Sequence, residues 1–572
     1  MMQDDPRYDR QIRLWGDEGQ SCIEHASVCV LGASALGCEI IKSLVLAGIK
    51  SVYIVDSAII CKPDLGNNFF IDDEIGQPRA KVALRLLMEL NPSVEGGFDL
   101  GSPEDIITKD MDFLRQFTVV VGCNLSIEVA AQINDFLFEK NIPFVHARIF
   151  DSFGSKKALI QIMCQNYNYR AYGLIGFIRV SVQEHTIIDT HEENMTPDLR
   201  LDCPFPTLTE LVESTDLNQM HYDAHSHTPY LILFLKALAL WREKYGQDDF
   251  PDNYEKRKTF EMIFMSLRMP HPENGSDQEE NFIEGRAAII GSLKKTAIPR
   301  GVKELLDHPK ATYPDLARFW LLAAALRRFV IKHKVLPVRG SLPDMISDSE
   351  SYVLLAAKFR DRAKQDAKEV MNYLQAFLME RGVPIDIIKF HDCEYFCKKA
   401  AFLRVQHGTT IAQEMKSSLE EVFNDIRNAD FEPNSVTGVP EISPAVWYIL
   451  LRAIDRFHSE KSRFPGTNGV PCTIDAYDLK ARVVDLITEI ELEDRREMLG
   501  KIPQIAIDEM CRYGASELHV IASLIGGIAA QEVIKLITHH KTGKISPVSV
   551  VEQLCFIIRR TMVVWGRRCA KS

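Results

Sequence analysis

Short apolar runs alternate with helical patterns of apolar positions through the first 150 residues. Ser27 to Leu31 (SVCVL) is rich in branched residues and bounded by Gly32, after which apolar positions recur at Leu36, Ile40, Ile41, Leu44 and Val45 until Gly48. That spacing predicts a strand feeding a helix. Ser51 to Val55 predicts a second strand, Lys81 to Leu90 a helix ended by Asn91-Pro92, and Phe117 to Val121 a buried strand. Ile127 to Glu139 predicts a further helix and Ile142 to Ala147 a further strand. Repeated strand-helix-strand units of this kind imply an α/β fold with a parallel sheet covered on both faces.

After about Asp216 the pattern changes to long amphipathic helices: Thr228 to Tyr245, Asp315 to Lys334, Ser351 to Glu380, Glu414 to Arg427 and Ala445 to His458. Met269 to Gln278 and Glu432 to Pro444 are rich in turn residues and read as exposed loops. The expectation is a large, mainly helical insertion over 216–500, framed by 1–215 and 501–540. The latter holds ELHVIASLIGGIAAQEVIKLI, a helix with small residues suited to close packing.

Composition narrows the classes. A chain of 572 residues, 26% charged and 46% hydrophobic, has room for about three to five domains. Its net charge of -12 leaves no general electrostatic footprint for nucleic acid or an anionic membrane, and points to protein or small-molecule partners. The apolar runs Tyr230 to Trp241 and Phe319 to Ile331 contain Lys236 and Arg327-Arg328 and are too short to cross about 30 Å of hydrocarbon. The opening MMQDDPRYDRQIRLWG is too polar for a signal peptide. Thirteen cysteines without a C-x-x-C pair suit neither a disulfide framework nor a zinc ribbon, so a reducing compartment, cytoplasm or nucleus, is expected.

Candidate chemistry begins at Gly32-Ala33-Ser34-Ala35-Leu36-Gly37, between the first strand and helix, with Asp56 ending the second strand. Such a corner places phosphates at a helix N-terminus and a ribose hydroxyl on the acid. The middle glycine is absent, however, and Ser34 puts a side chain where backbone would approach phosphate. A nucleotide site and a plain strand-helix corner both remain open at this point.

Three further segments carry a resemblance. Tyr8-Asp9-Arg10-Gln11-Ile12-Arg13-Leu14-Trp15-Gly16, Gly66-Asn67-Asn68-Phe69-Phe70 and Gly526-Gly527-x3-Gln531-Glu532-Val533-Ile534-Lys535 are similar to motifs of the activating enzymes for ubiquitin and ubiquitin-like modifiers. Leu201 to Pro206 (LDCPFP), His225 to Pro229 (HSHTP), Leu336 to Met345 (LPVRGSLPDM), Leu451 to His458 (LRAIDRFH) and Cys511 to Ala515 (CRYGA) narrow it. They resemble the regulatory subunits of the heterodimeric neddylation-activating enzyme. The resemblance runs from about residue 7 to 540, and implies a Rossmann-like adenylation (ThiF-type) fold split by the helical insertion, the insertion being a cysteine domain without its nucleophile.

Active members of that superfamily bind ATP and magnesium, adenylate a modifier's C-terminal glycine and pass it to a cysteine. This chain departs from their pattern at several positions. Where they read N-x-N-R-Q-F, it has Asn68 for the phosphate-binding Arg and Phe69 for the Gln; where they read G-x-x-K-A, it has Arg79. After the Phe117 to Val121 strand, where a metal-holding Asp is expected, stands Asn124. The resemblance therefore implies a half-site without catalysis of its own, Gly32, Ser34, Gly37 and Asp56 being a degenerate nucleotide loop, with ATP and magnesium held by a catalytic partner subunit. Arg10 is the exception: in the family the Arg of Y-x-R-Q reaches the partner's ATP phosphates as an arginine finger in trans. The alternative is an Arg that merely pairs on a surface helix.

Cys203, Cys393, Cys397 and Cys511 are read as buried, inert thiols, since none resembles the family's thioester cysteine. His225-x-His227 and Cys393-x3-Cys397 have metal-like spacing, but a helix cap by Ser226 or Thr228 and core thiols explain them without metal. The acidic runs Asp248-Asp249 and Asp277 to Glu280 read as solvated loop faces, with docking of a basic modifier as the sharper alternative. Two segments depart from the family: 150–171, interposed at a strand junction, and 541–572, whose seven Lys/Arg against one Glu leave +6. Both resemble spliced or retained-intron translation, a hypothesis that transcript sequencing across the junctions decides; the alternative is a docking tail with Arg559, Arg560, Arg567 and Arg568. The reading is a regulatory subunit obligately paired with a catalytic subunit, helping to bind a ubiquitin-like modifier and meeting the conjugating enzyme only indirectly. Its rivals are a self-sufficient modifier-activating or sulfur-carrier adenylyltransferase and a non-enzymatic scaffold.

Overall fold

The structure is a computed structural model, and it describes residues 6–72, 74–151, 174–188, 197–270, 279–314, 316–416, 419–428, 444–489, 495–513 and 517–540. Most of the 150–171 segment and all of the 541–572 tail lie outside the described residues.

Six strands form one sheet: β1 (Ser27–Leu31), β2 (Ser51–Val55), β3 (Glu95–Asp99), β4 (Val119–Cys123), β5 (Phe144–Asp151) and β6 (Leu174–Ser181). Their order is β3-β2-β1-β4-β5-β6, parallel up to β5, with β6 antiparallel to β5. The apolar, branched runs of β1 and β4 occupy the centre, where both faces are covered. Around them lie α1 (Asp9–His25), α2 (Ala35–Ala47), α3 (Arg79–Met88), α4 (Pro103–Lys109) and α5 (Ile127–Glu139). The fold class expected from the sequence is found. β3 was not expected, β4 begins two residues later than the pattern placed it, and β5 runs through Phe150 and Asp151 into the interposed segment.

The helix His519–Ile537 completes the core by packing on α2. A Cβ on Gly526 would lie 2.8 Å from Glu39 Cβ and 3.3 Å from the Ile40 amide, so the two helices meet at backbone distance. By length and composition this helix is apolar enough to cross a membrane, but 61% of its apolar stretch is buried in the fold. Its hydrophobicity is that of a core helix.

The division of the chain also differs from the expected 216–500 insertion. One compact unit comprises Met1–His185 and Gln406–Ser572, the other Thr186–Val405. The second is helical, with a core around Phe234, Phe260, Phe264 and Trp241 and another around Trp320, Phe329 and Phe396. The helices after Gln406, among them Pro444–Lys461 and Cys472–Thr488, belong to the unit that holds the sheet. Buried ion pairs tie them there: Arg179 of β6 to Glu414 at 2.9 Å, and Arg148 of β5 to Asp455. Helical periodicity announces a buried face but not the core that face joins, which is why the pattern assigned these helices to the insertion.

Candidate functional site

β1 and α2 are joined by three residues at the C-terminal edge of the sheet, beside the point where strand order reverses between β1 and β4. Open α/β sheets bind ligands at such a place. Gly32 turns the chain with φ of +104°, and a Cβ on Gly37 would lie 2.0 Å from the Gly32 carbonyl oxygen. Only glycine permits that approach of helix to strand. The corner read from the sequence is therefore built, with Gly32, Ser34, Gly37 and Asp56 together in it.

Its polar groups are turned on one another. Buried Asp56 accepts the Ala33 amide at 2.7 Å and the Ala58 amide at 2.8 Å, and Arg79 Nε and Nη2 both reach its Oδ2 at 2.8 Å. Arg79 Nη1 also meets Asp64 at 3.3 Å. Burial works against the Arg79 charge, but Asp56 and Asp64 outweigh it and raise its pKa, so the guanidinium stays ionised. Asn68 is buried, donating to the Ala33 carbonyl at 3.3 Å and accepting the Phe70 amide at 3.0 Å. Phe69 instead is 68% exposed, its ring 3.7 Å from that of His519.

Asn124 has a left-handed backbone at φ of +52°, accepts the Ile149 amide at 3.1 Å and donates to Glu517. The other oxygen of Glu517 accepts the Ala35 amide, at the start of α2, at 2.9 Å. Burial raises the Glu517 carboxyl; the Ser34 hydroxyl, the Ala35 and Leu36 amides and Arg79 pull it down, without cancelling the rise. Adenylation requires cations free to meet phosphates and a carboxylate free to hold magnesium. Arg79 and Asp56 are committed to each other and Asn124 is uncharged, so the residues present do not fit Mg-ATP.

The N-terminal signature is fastened at both ends. Buried Tyr8 accepts a hydrogen bond from Asn91 Nδ2 at 2.9 Å, and that amide also donates to the Val45 carbonyl at 2.9 Å. Trp15 packs edge-on against His540 with ring centroids 5.0 Å apart. Between these anchors Arg10 stands exposed on the first turn of α1.

The thiols divide. Cys393, Cys397 and Cys511 are buried, and burial pushes Cys511 up to about 12. Cys203 is exposed, which corrects the expectation of burial: it lies in the loop before the helix Pro206–Ser214, and partial desolvation still raises its thiol. Neither Ser226 nor Thr228 caps the helix Tyr230–Tyr245; they donate back to the Asp223 and Ala224 carbonyls of the preceding short turn of helix. His225 is buried on Glu279 at 2.5 Å while His227 is exposed, so the two imidazoles do not converge.

Sequence reasoning missed Glu517, Asn91 and Asp64. An acid just before a long apolar helix was the available signal for the first.

The chain matches the ThiF family over residues 8–562, past His540 into the segment read as foreign. It is 42% identical over 540 residues to the NEDD8-activating enzyme E1 regulatory subunit of Caenorhabditis elegans, covering 93% of this chain and 94% of that one. The Xenopus laevis protein of the same description is 36% identical with the same coverage. The regulatory subunit AXL of Arabidopsis thaliana is 34% identical over 537 residues, covering 93% and 94%. With an adenylation-type sheet beneath that likeness, the chain belongs to the ThiF family and, within it, to the NEDD8-activating enzyme E1 regulatory subunits.

Proposed function

We propose that this chain is the non-catalytic half of a neddylation-activating heterodimer, obligately paired with a catalytic subunit that holds ATP and magnesium and carries the thioester cysteine. The reading rests on one observation above others: Asp56, Arg79, Asn68 and Asn124 are each engaged inside their own corner. A cation spent on a buried carboxylate is not available to a developing phosphate charge. What the chain contributes is then assembly, part of the surface that binds the ubiquitin-like modifier, and Arg10 offered to the partner's ATP phosphates. The conjugating enzyme is met only through the assembled complex. Cytoplasm and nucleus are the compartments proposed, in keeping with the free thiols of the described cysteines.

The test is pyrophosphate exchange into ATP by the full chain alone, by a catalytic subunit alone and by the pair, followed by gel analysis of modifier thioesters. Exchange is expected only when the catalytic subunit is present and is fastest with the pair, and the reducible adduct forms on the partner alone. Exchange by this chain by itself would make it a self-sufficient adenylating enzyme and overturn the proposal.

A further inference from the structure

The N-terminus of α2 in this corner is the place where a nucleotide phosphate sits in a glycine-rich strand-helix turn, because unpaired amides and the helix dipole both favour an anion there. The anion present is the chain's own. Glu517 Oε2 accepts the Ala35 amide at 2.9 Å while Oε1 accepts from Asn124, and the Ser34 hydroxyl, the Leu36 amide and the Arg79 charge all act on the same carboxylate. A carboxylate that accepts from the first amide of a helix and from a carboxamide makes contacts of the kind a bound phosphate would make. It arrives from a residue 482 positions away, two residues ahead of the helix His519–Ile537 that packs on α2.

We infer that Glu517 occupies the phosphate seat of the degenerate nucleotide corner as an intramolecular ligand, so that the seat is closed to free nucleotide and serves to join the two separated parts of the adenylation fold. Asn124 has a definite role in this arrangement: its carboxamide, fixed by the Ile149 amide at 3.1 Å, turns its donor toward Glu517, where an aspartate would repel it. Phe69 packs its ring, tilted, on that of His519, next to the segment that bears the plug. The inference rests on the proposal that this half-site does not adenylate, and it adds what fills the site instead.

The test uses the full chain with inorganic phosphate and with AMP, both without magnesium, against sodium chloride at matched ionic strength. Isothermal calorimetry and the thermal midpoint are read for wild type, Glu517→Ala and Glu517→Gln. Wild type is expected to bind neither probe. Glu517→Ala is expected to bind phosphate about tenfold or more tightly than wild type, the worth of one charged hydrogen bond. Phosphate is expected to raise its melting midpoint and leave that of wild type unmoved. Glu517→Gln keeps the shape and removes the charge, and carries the same comparison where the alanine variant does not fold. A folded variant as indifferent to phosphate as wild type overturns the inference, as does wild type binding phosphate as tightly as the variants. Either result, with the chain alone still silent in pyrophosphate exchange, removes Glu517 from the seat and leaves the non-catalytic reading standing.

Discussion

Arg79 shows how one side chain decides what the corner does. It lies 2.8 Å from Asp56 and 3.3 Å from Asp64, with only 19% of its side chain exposed. Breaking a buried pair by removing one partner leaves an uncompensated charge, at a cost of about 3 kcal/mol. Asp56→Ala is therefore expected to lower stability by about that amount, and Arg79→Lys by less, because the ammonium keeps the charge but loses the fork. Calorimetric melting of the two variants checks this; equal or negligible losses contradict it. Acid stability turns on a different residue. His185 donates to the His540 carbonyl at 2.8 Å, and burial depresses its pKa to about 4. The folded state then binds fewer protons than the unfolded chain, whose histidine titrates near 6.5. His185 thus stabilises fully above about pH 6.5, and its contribution is lost as pH falls toward 4, with about 2 kcal/mol gone by pH 5. His185→Gln should shrink the difference in melting midpoint between pH 7 and pH 5; an unchanged difference argues against it. At this scale Gly32, Gly37 and Asp56 were legible because their roles are local. Glu517 was not, because a contact spanning 482 residues leaves no mark in spacing.

Elements were legible in proportion to how fully they are buried. β1, β2 and α2 follow the apolar pattern closely, since the sheet's centre demands it. β3 reads EGGFD, an edge strand that is largely exposed and without alternation, so nothing in its pattern announces it. Phe117 follows a short 3-10 turn, and the paired register with β1 begins at Val119, which shifts β4 by two residues. The helix Ser349–Glu380 matched its expected range within two residues, its start marked by Asp348 accepting the Ser351 amide. The packing of His519–Ile537 on α2 was foreshadowed by its small residues, and it carries a prediction of its own. A side chain at Gly526 meets Glu39 and the Ile40 backbone, neither of which can move without parting the helices. Gly526→Leu is expected to cost about 1–3 kcal/mol through overpacking. The neighbouring Gly527, where a Cβ meets nothing within 4 Å, is the control, and Gly527→Ala should leave the melting midpoint near that of wild type. Equal losses at the two positions refute the close-packing account.

At the scale of the whole molecule, the fold anchors the N-terminal signature while leaving its arginine outside. Tyr8 is held by Asn91 and Trp15 by His540, whereas Arg10 between them is exposed. Such a placement suits the proposed role toward a partner, since an exposed surface charge contributes little to the chain's own stability. Arg10→Ala is accordingly expected to leave the melting midpoint of the chain and its co-purification with a catalytic subunit unchanged, while pyrophosphate exchange by the pair falls by on the order of 100-fold. Arg10→Lys should recover part of the loss, because it restores charge without the planar fork that suits phosphate. Tyr8→Phe separates positioning from chemistry: it removes the hydroxyl that Asn91 binds, loosens the first turn of α1, and should lower exchange by less than Arg10→Ala while also lowering the melting midpoint. An Arg10→Ala pair that assembles and exchanges at the wild-type rate ends the role in trans. One that fails to assemble makes Arg10 a contact of the interface instead of a ligand of the phosphates.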